Sequence, residues 1–460
     1  MMSEAQEISQ LITTVFRAFA RAGIDFLILR NYEGLPNSTT NDIDVLVAPD
    51  QRRHAEQTLV AAAEAAGFRL HNRAEFMPVA LYLSSRQSNA QAHFDLFIAS
   101  KWRGFDFLSC QGFLERRVRR ELFAVPHPAD EAATSLLSFL IYTGKVKEKY
   151  RPFVAASFRA EPALVMDRLA QTYGAARAKF LLTAGVEERW RAIEAATGTL
   201  RRTLIVRQLT RHPWRTLRSL LTDAWRLWLR FVRPPGLTVV LCGAGGCGKS
   251  AIAQAVVAGL ERTFSPLKGR HFHWKPPVFT ARRRAARGAA PDPHGQPVRN
   301  RLASFGYFLF HWLEFFLGSH LVFRPATFRG GLVLIDGYYY DLLVDQPRFR
   351  LQVSLGLVRL GCALLKDPDL VILLDAPAEV FQRRKQEVPL AETERQCRAY
   401  RALVGGLPNG RIINAAQPVE KVGTEVNRAI LDYMAERTRK RLGAGPGRSF
   451  PESEREEISP

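Results

Sequence analysis

The sequence predicts an α/β protein in two parts: an N-terminal α/β domain with a helical extension, and a C-terminal domain built on a parallel β-sheet. Three observations predict it. Leu237–Leu241 is a short apolar run that feeds a glycine-rich loop and then a helical pattern over 250–260. Two further apolar runs, 332–335 and 370–374, each end at an aspartate with helical stretches between them, the alternation that builds parallel sheets. Upstream of residue 130, helical and strand periodicities also alternate.

Taken in order, 8–22 is amphipathic, 26–29 and 43–47 read as strands, 54–66 is an alanine-rich helix, and 93–98 is another strand. Residues 131–200 read as a helical extension, entered through Pro126, Pro128 and the acidic start signal Asp130-Glu131. The connector 201–235 carries nine arginines against one acidic residue, Asp223. Pro213 limits its amphipathic helix to about 214–232, and Pro234-Pro235-Gly236 closes it. The C-terminal domain is placed at 236–440, and 441–460 is a Gly/Pro/charge-rich tail expected to be disordered. The run 302–323 is as long as a membrane span, but His311, Glu314 and His320 make a buried helix of a soluble domain the expectation.

A chain of 460 residues with 47% hydrophobic content holds two or three folded domains. The net charge of +21 suits phosphorylated or polyanionic partners without naming one. Five scattered cysteines lack zinc-type pairing, and the polar start lacks an export signal, so a cytoplasmic location is expected.

The loop Gly243-Ala244-Gly245-Gly246-Cys247-Gly248-Lys249-Ser250, followed by Ala251, fits the phosphate-binding pattern G-x-x-x-x-G-K-[ST]. Its glycines let backbone N–H groups turn inward around a β-phosphate, Lys249 brings positive charge to the β/γ-phosphates, and Ser250 offers a hydroxyl to Mg²⁺. ATP and Mg²⁺ are the expected ligands.

The segments LVLIDGYYYD (332–341) and LVILLDAPAEVFQRRKQE (370–387), with Tyr400 after them, resemble the thymidylate kinase family of P-loop kinases over about residues 237–435. The resemblance implies phosphoryl transfer from ATP, with Lys249, Asp336, Arg383 and Arg384 in catalytic roles, Ser250 and Asp336 toward Mg²⁺, and dimers as a common state of such relatives. Arg324, Arg348 and Arg350 are candidate contacts to an anionic acceptor, because a guanidinium matches oxyanions bidentately. Two departures stand out. The family's Asp-Arg-Tyr reads Asp336-Gly337-Tyr338 here, and 265–330 is a long insertion-like segment containing His271, His273, Arg282–Arg284 and His294. A changed acceptor is expected; a metal role for the histidines is not.

At the other end, Asp42-Ile43-Asp44 puts two carboxylates on one face of a strand, and Asp95 would bring a third from a neighbouring strand. Three converging carboxylates hold divalent metals for in-line transfer. This arrangement resembles the nucleotidyltransferase superfamily over about residues 8–150, which implies metal ligation by Asp42, Asp44 and Asp95, with Lys145, Lys147 and Lys149 toward a triphosphate. The Gly-Ser or Gly-Gly pair of that superfamily is replaced by Leu29-Arg30-Asn31. In the connector, an apolar face with Trp214, Trp225 and Trp228 beside abundant arginine suits a domain-docking helix or peripheral contact with an anionic membrane.

The expectation is therefore an ATP-dependent kinase for a nucleotide or sugar-type metabolite, fused to a nucleotidyltransferase-like domain. A kinase that processes nucleic-acid ends and a regulatory ATP-binding protein are the alternatives.

Overall fold

The computed structural model describes residues 2–39, 42–108, 111–260, 263–264, 270–274, 278–279 and 297–442, without the side chains of Gln111, Arg270 and His273. Arg282–Arg284, His294, Cys110 and the tail beyond 442 lie outside the described residues. The chain forms two compact units, one of residues 1–230 with 438–460 and one of residues 231–437.

The first unit opens with α1 (Glu4–Arg21), started by a capping box in which Ser3 and Gln6 satisfy each other's backbone N–H groups. Its face Leu11, Ile12, Val15, Phe16 and Phe19 is fully buried. Then come β1 (Phe26–Ile28), β2 (Ile43–Val47), α2 (Arg52–Ala65), β3 (Phe68–Glu75), β4 (Val79–Ser85) and β5 (Gln91–Phe97), which form a five-stranded sheet in the order β1-β2-β5-β4-β3. Only β2 and β5 pair in parallel, and their register sets Asp44 beside Asp95. Two short hairpins follow, β6 (Ser100–Trp102) with β7 (Phe105–Leu108), and, after α3 (Gln111–Glu115), β8 (Val118–Arg119) with β9 (Ala124–Val125).

A run of helices follows. It runs α4 (Pro128–Thr143), α5 (Arg151–Ala160), α6 (Pro162–Tyr173), α7 (Ala175–Val186), α8 (Trp190–Ala195) and α9 (Thr197–Arg211). Pro128 occupies the first turn of α4, where its missing N–H costs nothing, and Gly144 ends the helix in the left-handed region. Asp130, fully buried, accepts from Arg168 Nε at 2.7 Å and from Arg116, so this charge is paired inside the helical core. α10 (Pro213–Val232) starts where Pro213 interrupts the helical run.

The second unit is built on β10 (Leu237–Cys242), which leads through the glycine loop into α11 (Lys249–Gly259). Next are β11 (Arg270–His273), α12 (Arg301–Gly318) extended by one π turn, α13 (Arg324–Phe328), β12 (Leu332–Asp336), α14 (Asp341–Val344) and α15 (Leu355–Leu364). β13 (Leu370–Asp375), α16 (Ala378–Arg384), α17 (Leu390–Gly405), β14 (Gly410–Asn414) and α18 (Val419–Arg441) complete it. The sheet is parallel throughout, in the order β11-β12-β10-β13-β14. This order gathers the carboxyl ends of β10, β12 and β13 at one edge, where open parallel sheets bind ligands.

The expectation of a buried helix over 302–323 needs correction. Phe308 and Phe315 enter the core, but Leu302 is 83% exposed and Phe305 and Leu309 are also exposed. The helix is apolar on nearly every side while the sheet covers only one. No described helix is long and apolar enough to cross a membrane.

Candidate active site

The loop after β10 is shaped by residues without side chains. Gly246 has φ +81°, and a Cβ there would lie 2.7 Å from the Phe381 carbonyl oxygen. Only glycine allows both that backbone turn and the close approach of α16. Lys249, first residue of α11, folds back over the loop and donates to the Gly243 oxygen at 2.8 Å and the Ala244 oxygen at 3.3 Å. Burial opposes its charge, yet Cys247, Asp336 and Asp341 more than offset this and raise its pKa. Ser250 donates to Asp336 Oδ2 at 2.7 Å. A hydroxyl and a carboxylate in contact at the mouth of a phosphate-type loop are the hard oxygen donors that Mg²⁺ takes, so Ser250 and Asp336 fit that ion.

Asp341 completes the cluster, and its role was not read from the sequence. Its Oδ1 accepts from the buried Tyr400 hydroxyl at 2.8 Å. Burial pushes its pKa up to about 6, against the lowering pull of Lys249, the Tyr400 hydrogen bond and Arg348. At Gly337, with φ +81°, a Cβ would stand 2.7 Å from Asp341 Oδ2. The carboxylate takes the space that any side chain at 337 would need. The neighbouring Tyr338, Tyr339 and Tyr340 are buried core residues around Phe315, so the tyrosine-rich segment is packing.

The expected cations divide. Arg348 donates to Glu387 Oε2 at 3.1 Å, and Lys385 pairs with Glu387 Oε1 at 2.5 Å. Glu387 itself lies on the loop, 2.6 Å from where a Cβ of Gly245 would be. Burial would raise the Glu387 pKa, but Lys385 and Arg348 hold it below the usual carboxylate range. Arg384 instead donates to the Ala415 oxygen at 2.9 Å, beyond the end of β14, and Arg383 is exposed. Arg350 is bound to the Pro297 oxygen at 3.0 Å, and Arg324 donates to the Phe231 oxygen and lies over that ring, so both serve the fold. The structure thus assembles Lys249, Ser250 and Asp336, while Arg384 bonds to the Ala415 oxygen and Arg383 is exposed.

In the first unit, the register of β2 with β5 sets Asp44 beside Asp95, and cations sit among the carboxylates. Arg30 forms an ion pair with the buried Asp44. His93 bridges Asp42 at 2.8 Å and Asp95 at 3.0 Å, stacked on Tyr82. Burial opposes the His93 charge, yet the two aspartates raise its pKa to about 9. Asp44 moves upward because its burial outweighs Arg30, with Asp95 and Asp42 adding to the rise. Lys147 lies over the Phe139 ring at 3.6 Å, and burial with Lys149 and Arg30 nearby lowers its pKa. Among the described residues, no group of three His, Cys, Asp or Glu side chains is arranged to hold a metal. The expected ligation by Asp42, Asp44 and Asp95 does not fit this arrangement, because a guanidinium and an imidazolium stand where a divalent cation would bind.

No family model matches the chain, and no curated protein matches it. Among solved structures, the thymidylate kinase from Ehrlichia chaffeensis is similar over 43% of this chain and 100% of that chain, at 14% identity and a TM-score of 0.32. At that score the likeness carries no argument.

Proposed function

We propose that the second unit is an ATP-dependent phosphotransferase acting on a small-molecule acceptor, a nucleotide or a sugar-type metabolite. One observation carries the reading. Lys249, the Ser250–Asp336 pair and the Tyr400–Asp341 pair meet at the carboxyl edge of a parallel sheet, beside a loop that only glycine permits. Phosphoryl transfer needs little covalent chemistry from the protein; it needs charge placed on the moving group and an aligned acceptor.

In this reading the loop N–H groups and Lys249 hold the β- and γ-phosphates. Ser250 and Asp336 would hold Mg²⁺, which when bound neutralises charge developing on the phosphate oxygens. Where the acceptor is a hydroxyl, Asp341, with a pKa near 6, takes its proton; a phosphate acceptor attacks as the oxyanion. The acceptor oxygen then bonds to the γ-phosphorus, the bond from that phosphorus to the β–γ bridging oxygen breaks, and ADP leaves. Tyr400 holds Asp341 in place through its hydrogen bond. Arg348 and Lys385 reach the loop through Glu387, and a bound polyphosphate competes with Glu387 for them.

The test is incubation of the purified protein with γ-labelled ATP, Mg²⁺ and a pool of nucleoside monophosphates, sugars, sugar phosphates and oligonucleotides, beside Lys249→Ala. Label on a small molecule, lost in the variant, supports the reading and names the acceptor class. Label on oligonucleotides alone transfers it to nucleic-acid end processing. ATP binding without transfer to any acceptor supports a regulatory protein.

A further inference from the structure

Helix α10 presents its polar side to its own unit and its apolar side to solvent. Thr216 is buried and donates to the Gln208 oxygen at 3.0 Å. Ser219 donates to the Gly104 oxygen at 2.7 Å and accepts from Lys101 at 2.7 Å. Arg226 donates to the Glu75 oxygen at 3.2 Å, and Arg230 lies over the Phe76 ring at 4.5 Å. These contacts pack α10 onto its own unit through the face opposite to the apolar one.

That apolar face is Trp214, Leu217, Leu221, Trp225 and Trp228, whose spacing of three and four residues places them in one stripe. All are exposed: Trp214 by 81%, Leu221 by 62%, Trp225 by 59% and Trp228 by 51%. Trp225 and Trp228 stack on each other with ring centroids 4.7 Å apart. A surface helix normally turns such a stripe inward, and a contiguous exposed apolar patch marks an interaction surface.

The flanking chemistry selects the occupant. The exposed Arg218 borders the stripe, Arg215 is 79% exposed and lies 3.7 Å from Asp106, and the exposed Arg211 ends the preceding helix. The chain's charge of +21 disfavours a second copy and attracts an anionic surface. Tryptophan with arginine is the pairing suited to the water–bilayer boundary, where the indole ring sits at headgroup depth and the cation meets phosphate. We propose that α10 lies flat in the headgroup region of an anionic bilayer, with the stripe inserted and Arg211, Arg215 and Arg218 against lipid phosphates.

The test uses the full chain, sedimented with vesicles of phosphatidylcholine alone or of equal parts phosphatidylcholine and phosphatidylglycerol. The protein should pellet with the mixed vesicles, stay in solution with the zwitterionic ones, and be released as salt rises. The triple variant Trp214→Ser, Leu221→Ser, Trp228→Ser should bind roughly a hundredfold more weakly. The pair Arg215→Glu, Arg218→Glu keeps the stripe, gives a second reading if the triple variant misfolds, and should weaken binding roughly tenfold. Three results would overturn the proposal. The wild type stays in solution with anionic vesicles, or both variants pellet as it does. Or the wild type is an oligomer that the triple variant makes monomeric while neither binds vesicles, which makes a second copy the occupant.

Discussion

Both units carry an aspartate on a strand next to the middle of the sheet, Asp336 on β12 and Asp44 on β2, and the side chains in contact with them differ. Asp336 meets a hydroxyl, with an ammonium group close by. Asp44 meets a guanidinium, while the adjoining carboxylates share an imidazolium. A cation seated directly on a carboxylate uses that charge within the fold. Carboxylates alone therefore do not define a metal site. The charge already seated beside them decides.

The sharpest way to break this comparison is at the loop. Lys249→Ala should lower kcat/KM by about a hundredfold or more, since the charge on the β/γ-phosphates is lost, measured by label transfer. Asp341→Asn comes next, with kcat falling roughly tenfold to a hundredfold. The carboxylate's pKa is about 6, and its ionised form is the base, so wild-type kcat should climb through that pH and level off above it. The variant should lose that rise; a rise of unchanged midpoint removes Asp341 from the reaction.

In the first unit the expected effect is on stability. The folded pKa of His93, about 9, lies above its ordinary 6.5. Its contribution is fully present below 6.5 and is lost as pH rises through 9. His93→Gln should therefore cost roughly 3 kcal/mol at acidic pH and little at high pH. Hydrogen exchange of β4 and β5 amides at the two pH values reads this directly. Gly337→Ala is smaller, at about 1–2 kcal/mol, from the left-handed backbone and the clash with Asp341, read by urea unfolding. Asp44→Asn should change label transfer by less than about twofold, because its charge is spent on Arg30. A larger loss would mean that the first unit takes part in the same reaction.

The loop was legible in the sequence because its glycines are required by backbone geometry, which a linear pattern records. Asp341 was not, because its meaning depends on Tyr400, which reaches it only after α17 packs. β4 is buried along its whole length, so it shows no alternation, whereas β3 does alternate, with Phe68, Leu70 and Ala74 between Arg69, His71, Arg73 and Glu75, and its signal was present in the sequence. The stripe on α10 could be read from spacing, but which side of a helix faces its neighbours is a tertiary fact. Over 302–323, His311, Glu314 and His320 argued against a membrane span and for a buried helix, while the fold covers only part of it.

The strand order also has a consequence for how the protein is made. β10 lies between β12 and β13, with Leu237 paired to Leu332 and Val239 to Leu370. Both partners are synthesised long after β10, so closing this part of the sheet spans large sequence separations, which slows folding. On the ribosome the glycine loop exists early as a peptide but gains its supporting edge only after Asp375 has emerged. ATP would therefore stabilise the finished unit by mass action and offer no template to the growing chain.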